Sequence, residues 1–429
     1  MTLRRSIVAM LLATAALPAA AQGVDPAHLA AMKKLMASKA FATARASLET
    51  DYDRIVKDII TLTEIEAPPF KEAVRARAYL EMLRAEGLTD LEIDAEGNAM
   101  GLRKGTGGGP LLVVAAHLDT VFPAGTNVKV RREGNRLHAP GVGDDTCSLP
   151  VLLAFLRAMK AANITTKSDI LFVGDVGEEG PGDLRGMKYL FTKGKYKDRI
   201  GQFISFEPGQ ARVTNAGVGS KRYKITFKGP GGHSLGAFGL VNPAYALGAA
   251  MVEFGKMQVP AKPRTVFNVG IVEGGTSVNS IPFEMAMTVD MRSEGVAELK
   301  AEEDYLLALI PKAVAWENAV RSTKEGAITA DIKMIGDRPV GATPIAADIV
   351  QTAGAAVIAG GGEASFGASS TDSNLPMSLG VPAITLGSGF DTDRSHSLDE
   401  SLLLDKPATV KHMAMGLATV LSLAGATMK

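Results

Sequence analysis

The run PLLVVAAHLDT, residues 110–120, constrains the fold more than any other segment of the chain. An uninterrupted apolar stretch is expected of a strand covered on both faces, as in the middle of an α/β sheet. It breaks off at His117 and Asp119. A second apolar run, SDILFVGDVGEEG (168–180), also ends in acids, Glu178 and Glu179. Between the two lies SLPVLLAFLRAMKAA (148–162), which has the spacing of an amphipathic helix. Strand, helix, strand with polar groups at the strand ends predicts a sheet whose site lies beyond its carboxyl edge.

Residues 25–88 are rich in Ala, Lys, Glu and Leu at helical spacing, with a break at Ala67-Pro68-Pro69-Phe70, and predict two or more helices. LTDLEIDAEGNAMGLRKG then reads as strand, turn and strand. From about residue 217 the texture changes. KRYKITFKG, NPAYALGAAMVEFGKM, TVFNVGIVEGG, EMAMTVDMRS, a helix near 296–316 and ITADIKMIG follow as strand, helix, strand, strand, helix, strand. That order suits an inserted α+β layer of ferredoxin-like type. After about residue 336 the α/β texture returns, with IAADIVQTAGAAVIAGG, GVPAITLGSG and a C-terminal helix. The expected fold is α/β: a domain with a mixed sheet flanked by helices, formed by 22–216 and 337–429, with the α+β layer at 217–336. A chain of 429 residues, 46% hydrophobic, is long enough for two cores.

Residues 1–21 combine a basic start, a short apolar run and Ala19-Ala20-Ala21, the pattern of a signal peptide cleaved near Ala21. The apolar run is too short to span a bilayer, so a periplasmic or secreted protein with no membrane attachment after cleavage is expected. Cys147 is the only cysteine and has no intramolecular partner. The 46 basic and 46 acidic residues form no basic stripe, which argues against a nucleic-acid partner.

The polar clusters are His117 and Asp119, Asp144 and Asp145, Glu178 and Glu179, Glu207, and His396, each beside glycine or a turn signal. Borderline cations such as zinc take imidazole nitrogen and carboxylate oxygen, and this set suffices for two ions sharing a bridging carboxylate. On a strand, His117 and Asp119 point the same way, so one can bind metal while the other orients it. Glu178 and Glu179 diverge in extended backbone, so one can ligate while the other meets the attacking water. Asp144 and Asp145 both suit a metal site. His28, His138 and His412 are assigned to structure or surface, and Cys147 to packing.

Together these segments resemble the di-zinc aminoacylase/carboxypeptidase family of metallopeptidases, over nearly all of the chain from Ala67 to His396. VGEEGPGDLRG is most similar to its peptidase T-like branch. The resemblance implies His117, Asp144, Glu179, Glu207 and His396 as ligands of two Zn2+, with Co2+ or Mn2+ able to occupy the same places. Asp144 would be the bridge, followed by a cis peptide. Asp119 would orient His117, and Glu178 would be the general base. GPGGHS (229–234) resembles the family's lid and dimerisation signature, which implies a homodimer in which His233 of one subunit steadies the oxyanion in the other. Asn279 and Arg292 would hold the substrate's carboxylate, and backbone near Gly387 would complete the pocket. The implied activity is zinc-dependent hydrolysis of an amide bond in small peptides by a metal-bridged water. An N-acyl-amino-acid amidohydrolase or carboxypeptidase is the alternative. A non-catalytic periplasmic peptide-binding protein is a further one, disfavoured by the intact Glu178. One departure stands out: Thr146-Cys147-Ser148 replaces a lysine-containing segment in similar members, without loss of a ligand.

Overall fold

The computed structural model describes residues 23–428, so the expected leader lies outside the described residues. Leu111–His117 is buried at every position and runs between two parallel neighbours, Ile170–Asp175 and Ile200–Glu207. Its residues alternate between two cores. Leu112, Val114 and Ala116 face one, and Leu111, Val113 and Ala115 face the other. That two-sided burial is why the run carries no polar alternation. Ala383–Gly387 adds a further parallel strand beside Ile200–Glu207. Antiparallel strands, Ala99–Arg103 and Thr89–Ile93 on one side and Val213–Gly217 on the other, help complete a nine-stranded mixed sheet. The parallel register sets His117 beside Asp175 and Glu207 beside Gly387, so the polar residues emerge at one edge.

Three helices, Pro26–Met36, Lys39–Thr50 and Tyr52–Thr63, precede the Pro-Pro break and Ala73–Ala85 follows it. They correct one expectation. Ser148–Ala161 is not amphipathic in the structure but buried from Ser148 through Met159, because helices of the N-terminal segment cover the face turned away from the sheet.

The second layer is a four-stranded antiparallel sheet in the order Thr265–Gly274, Glu284–Ser293, Gly219–Lys228, Thr329–Arg338. Helices Pro243–Phe254 and Val296–Val320 pack on it around a separate core that includes Phe227, Met287 and Leu306. Element order and strand order are those of a ferredoxin-like βαββαβ unit. Its last strand runs through Arg338, past the expected boundary at 336. Among the described residues no helix is long and apolar enough to cross a membrane.

Two buried polar arrangements hold the loops at the sheet edge. The first is Arg75, on Ala73–Ala85 and fully buried. Its Nε and Nη2 donate to the Ile65 carbonyl at 2.9 and 2.6 Å, and its Nη1 donates to the Leu118 carbonyl at 2.7 Å and the Thr146 hydroxyl at 3.1 Å. None of these acceptors is charged. Burial pulls the guanidinium down to about 10, with Asp119 opposing. Arg75 thus joins the loop after the central strand to the start of the buried helix. Arg75→Met is expected to lower stability by roughly 3 kcal/mol, because it strands several buried acceptors. Arg75→Lys should lose less. Chemical denaturation of both variants checks this, and a wild-type midpoint for Arg75→Met would refute the anchoring role.

The second arrangement is the carboxyl pair Asp175 and Asp372, both fully buried, whose four carboxyl oxygens have no hydrogen-bond partner among the described residues. Burial raises Asp175 to about 7 and lifts Asp372 well above the usual carboxylate range. A carboxyl whose folded pKa lies above its unfolded value of about 3.9 stabilises the fold fully below that value and loses the contribution as pH rises through the folded pKa. Metal-free protein should therefore lose stability from pH 5 to pH 8, and Asp175→Asn should flatten that slope. Melting temperatures across the range test this; parallel slopes for the two proteins would contradict it.

Candidate active site

At the carboxyl edge of the sheet the two predicted histidines converge on one aspartate. His117 Nε2 lies 3.1 Å from Asp144 Oδ1, and His396 Nε2 lies 3.2 Å from Asp144 Oδ2. The same ring nitrogens each approach a second acid: His117 Nε2 lies 3.9 Å from Glu207 Oε2, and His396 Nε2 lies 2.8 Å from Glu179 Oε1. Asp144 therefore stands between the imidazoles. Asp145 lies behind them, its Oδ2 accepting the His117 amide at 3.1 Å. The Asp144–Asp145 peptide is cis.

His117 Nδ1 is 3.0 Å from the main-chain carbonyl of Asp119. A carbonyl only accepts, so Nδ1 carries the proton and Nε2 is left to face Asp144. The Asp119 carboxylate is farther from the ring, at 3.7 Å, and it does something the sequence did not indicate. Its Oδ1 accepts the amides of Gly177 and Glu178 at 2.8 and 3.2 Å, and its Oδ2 accepts that of Glu179 at 2.9 Å. Gly177 allows this turn: its φ is +81°, and a Cβ there would come within 2.6 Å of the Arg185 side chain. The two glutamates then diverge as expected, Glu179 towards His396 and Glu178 towards Arg338.

Arg338, at the end of the last inserted strand, donates from Nη1 to Glu178 Oε1 at 2.7 Å and from Nη2 to the Glu178 carbonyl. Burial raises the Glu178 carboxyl to about 8, with Arg338 opposing. Burial also lifts Asp145 and Glu207 well above the ordinary range. Asp144 moves down, because its contacts with the His117 and His396 imidazoles outweigh its burial. His396 is raised to about 10 by Asp144 and Glu179. So many carboxyls at close range call for cations. Donor atoms of His117, Asp144 and Glu179 lie within 4.8 Å of one another, as do those of His117, Asp145 and Glu207. Imidazole nitrogen with carboxylate oxygen is a donor set that fits zinc and similar divalent ions.

Of the remaining sequence-derived residues, Arg292 lines the same cavity, of about 480 Å³, as do Asp144, Glu178, Glu179, Glu207 and His396. Gly387 lines an adjoining one of about 360 Å³, where a Cβ would collide with the Gln210 carbonyl. His233 and Asn279 sit together at a small two-stranded antiparallel sheet of the inserted layer, outside that cavity's wall in the same chain. His28 meets Asp25 and Asp348, His138 lies near Glu133, and His412 Nδ1 accepts the Ala211 amide. Cys147 is buried against Ser148 and Ser388. Sequence reading missed Arg338, Arg222 and Glu400. Glu400 accepts the amides of Gly141, Gly143 and Asp144, each at 2.9 Å, and so fixes the Asp144 loop. Its one signal was its place four residues after His396 in SHSLDE.

The chain is similar in sequence to carboxypeptidase G2 of Pseudomonas sp. strain RS-16, 27% identical over 206 residues, which is 46% of this chain and 47% of that protein. It is also similar to succinyl-diaminopimelate desuccinylase of Leptothrix cholodnii, 25% identical over 271 residues, covering 57% and 69%. It thus spans about half the length of the first relative and about two thirds of the second. In structure it is similar to a tripeptidase from Staphylococcus aureus, with a TM-score of 0.71, 18% identity and coverage of 87% and 98%. For the aminopeptidase PepT from Bacillus cereus the TM-score is 0.67 at 19% identity, covering 86% and 98%. These two likenesses concern the fold. The profile of peptidase family M20/M25/M40 matches residues 113–423, and the chain belongs to that family.

Proposed function

We propose that the protein is a two-metal exopeptidase, acting on small peptides or N-acyl amino acids. The observation that carries this reading is Asp144 between His117 and His396, each imidazole paired with its own further carboxylate. His117, Asp144 and Glu207 would hold one divalent ion, and Asp144, Glu179 and His396 the other, with zinc the best match and cobalt or manganese compatible. When bound, the ions supply Lewis acidity towards the scissile carbonyl and the attacking water. Glu178 takes the proton from that water and returns it to the leaving amine, as a carboxylate beside the water can. Asp119 keeps Glu178 and Glu179 pointing apart through the three loop amides. Arg292 grips the substrate's carboxylate end, which suits a guanidinium.

The assembly we propose is a homodimer through the inserted layer, exported to the periplasm or beyond. Thr265–Gly274 is an edge strand with Val266, Ile271 and Val272 exposed, and the helix Pro243–Phe254 exposes Tyr245 and Val252. An exposed apolar edge is an invitation to pair with a second copy. His233 and Asn279, outside their own chain's cavity, would then serve the partner's site.

Glu178→Gln should lower kcat by roughly 10²–10⁴-fold on a dipeptide substrate. Metal content, measured by emission spectroscopy, should stay at two ions per chain. Near-normal turnover by that variant would sink the mechanism. Val272→Glu should shift sedimentation velocity from dimer to monomer and lower activity with it. A wild-type protein that sediments as a monomer at micromolar concentration would refute the assembly.

A further inference from the structure

Arg222, Arg292 and Arg338 line the cavity from strands of the inserted sheet. Arg338 meets Glu178 directly. The other two are joined through one carboxylate. Arg292 Nε donates to Asp290 Oδ2 at 2.7 Å, and Arg222 Nε donates to Asp290 Oδ1 at 3.0 Å. Asp290 and Arg292 lie two apart on one strand, and Arg222 stands directly opposite Asp290 on the next. All three therefore belong to the sheet face turned away from the helices, which pack on Met287, Val289 and Met291.

Arg222 also reaches beyond its own sheet. Its Nη1 donates to the Gly180 carbonyl at 2.9 Å, one residue past Glu179. Its stem runs beside Gly336 of the last inserted strand, where a Cβ would come within 3.2 Å of the Arg222 Cδ. Gly180 opens the short turn Gly180–Gly182, which the Gly182 amide closes on the Glu179 carbonyl at 2.8 Å. The glutamate loop is thus held twice. Asp119 holds its amides, and Arg222 holds the carbonyl that follows them. Three hydrogen bonds in series connect Arg292 to that loop, through Asp290 and Arg222. A planar guanidinium donating to two partners at once cannot turn towards one without leaving the other.

On the two-metal hydrolase reading, in which Arg292 takes the substrate's terminal carboxylate, we infer that Arg222 is a positioning residue that links this grip to the loop of Glu178, so that the carboxylate raises kcat as well as lowering KM. Engaging the carboxylate fixes the Arg292 guanidinium and with it Asp290. Arg222 is then held at one end, and it sets the turn that follows Glu178 and Glu179. Binding energy from a group remote from the scissile bond is in this way directed to the geometry of the reacting centre, which is the condition for it to raise kcat. An Arg292 acting alone would stabilise bound substrate and transition state equally, and its effect would be confined to KM.

The test compares, on the metal-loaded protein, a dipeptide with a free terminal carboxylate and the same dipeptide as its C-terminal amide. In the wild type the free acid should have the lower KM and exceed the amide by about tenfold in kcat. Arg222→Met should bring the two kcat values within about twofold, while the KM difference, which belongs to Arg292, persists. Arg222→Lys should behave in the same way, since an ammonium keeps the charge and loses the fork that spans Asp290 and Gly180. Asp290→Asn is the second variant should Arg222→Met fold poorly. It presents an acceptor to only one of the two guanidiniums and should also equalise kcat. A merely structural residue would slow both substrates together and leave their kcat ratio at the wild-type value, which would overturn the inference. A loss confined to KM for the free acid would overturn it too, by making Arg222 a second direct grip. Equal kcat for acid and amide in the wild type would overturn it and leave the hydrolase standing. The other arm needs no turnover: hydrogen–deuterium exchange across residues 176–184, with free alanine or alaninamide as the probe. Alanine should slow exchange in the wild type, alaninamide should not, and Arg222→Met should abolish the difference. If neither dipeptide is cleaved, that pattern would support the inference and remove the hydrolase reading, and any other pattern would remove both.

Discussion

The Asp119 carboxylate is the fixed point from which the rest of the site is built. Three consecutive amides, those of Gly177, Glu178 and Glu179, converge on its two oxygens. Hydrogen bonds to a charged acceptor contribute roughly 1.5–3 kcal/mol each when buried. Here they set the direction in which each glutamate leaves the loop. The Asp119 carbonyl, meanwhile, takes the His117 Nδ1 proton and aims the other ring nitrogen at Asp144. One residue therefore relates an imidazole on one strand end to two carboxylates on the next. The arrangement requires the strands to be parallel neighbours, which is what the buried run Leu111–His117 secures.

Around that point the fold concentrates negative charge and then manages it. The buried cations near the cluster are Arg75 and Arg338, and they act from opposite sides. Arg75 reaches the loops through neutral acceptors at Leu118 and Thr146, so its charge is spent on the field of the acids rather than on one of them. Arg338 meets Glu178 directly, arriving from the inserted layer. Arg222 does the same at the Gly180 carbonyl, and Asp183 accepts the Asp337 amide. The inserted layer is consequently referenced to the catalytic loop by several hydrogen bonds, and a shift of one would be felt at the other.

The parts legible in the sequence are those whose signal is local. The alternation of Leu111–His117 between two cores appears as an unbroken apolar run, and the βαββαβ order appears as period changes along the chain. His117, Asp144, Glu179, Glu207 and His396 stood out because each lies beside glycine or a turn signal rather than inside a helix, in motifs that resemble the family's. What was not legible depends on residues meeting across long separations. Arg338 and Glu178 are 160 positions apart, and Arg75 and Thr146 are 71 apart, with no pattern in either segment to announce the pairing. Asp175 and Asp372 each looked like an ordinary loop or strand-end acid until the sheet and the Thr371–Asn374 turn buried them together. The helix Ser148–Ala161 misled for a related reason: its spacing is amphipathic, but its outer face is covered by helices far earlier in the chain.

The departure at Thr146-Cys147-Ser148 can then be understood electrostatically. A lysine there would place a flexible cation at the start of the buried helix. In this chain the same corner is filled by small side chains, and the Thr146 hydroxyl accepts from Arg75 instead. A guanidinium is rigid and spreads its donors over several acceptors, whereas an ammonium offers a compact charge on a mobile stem. Holding the cation on Ala73–Ala85 lets it grip the Ile65 and Leu118 carbonyls as well, which a residue at 146 would have to reach from the far side of the same loops. The positive charge behind Asp119 is in this way tied to the loops that follow His117 and Asp144.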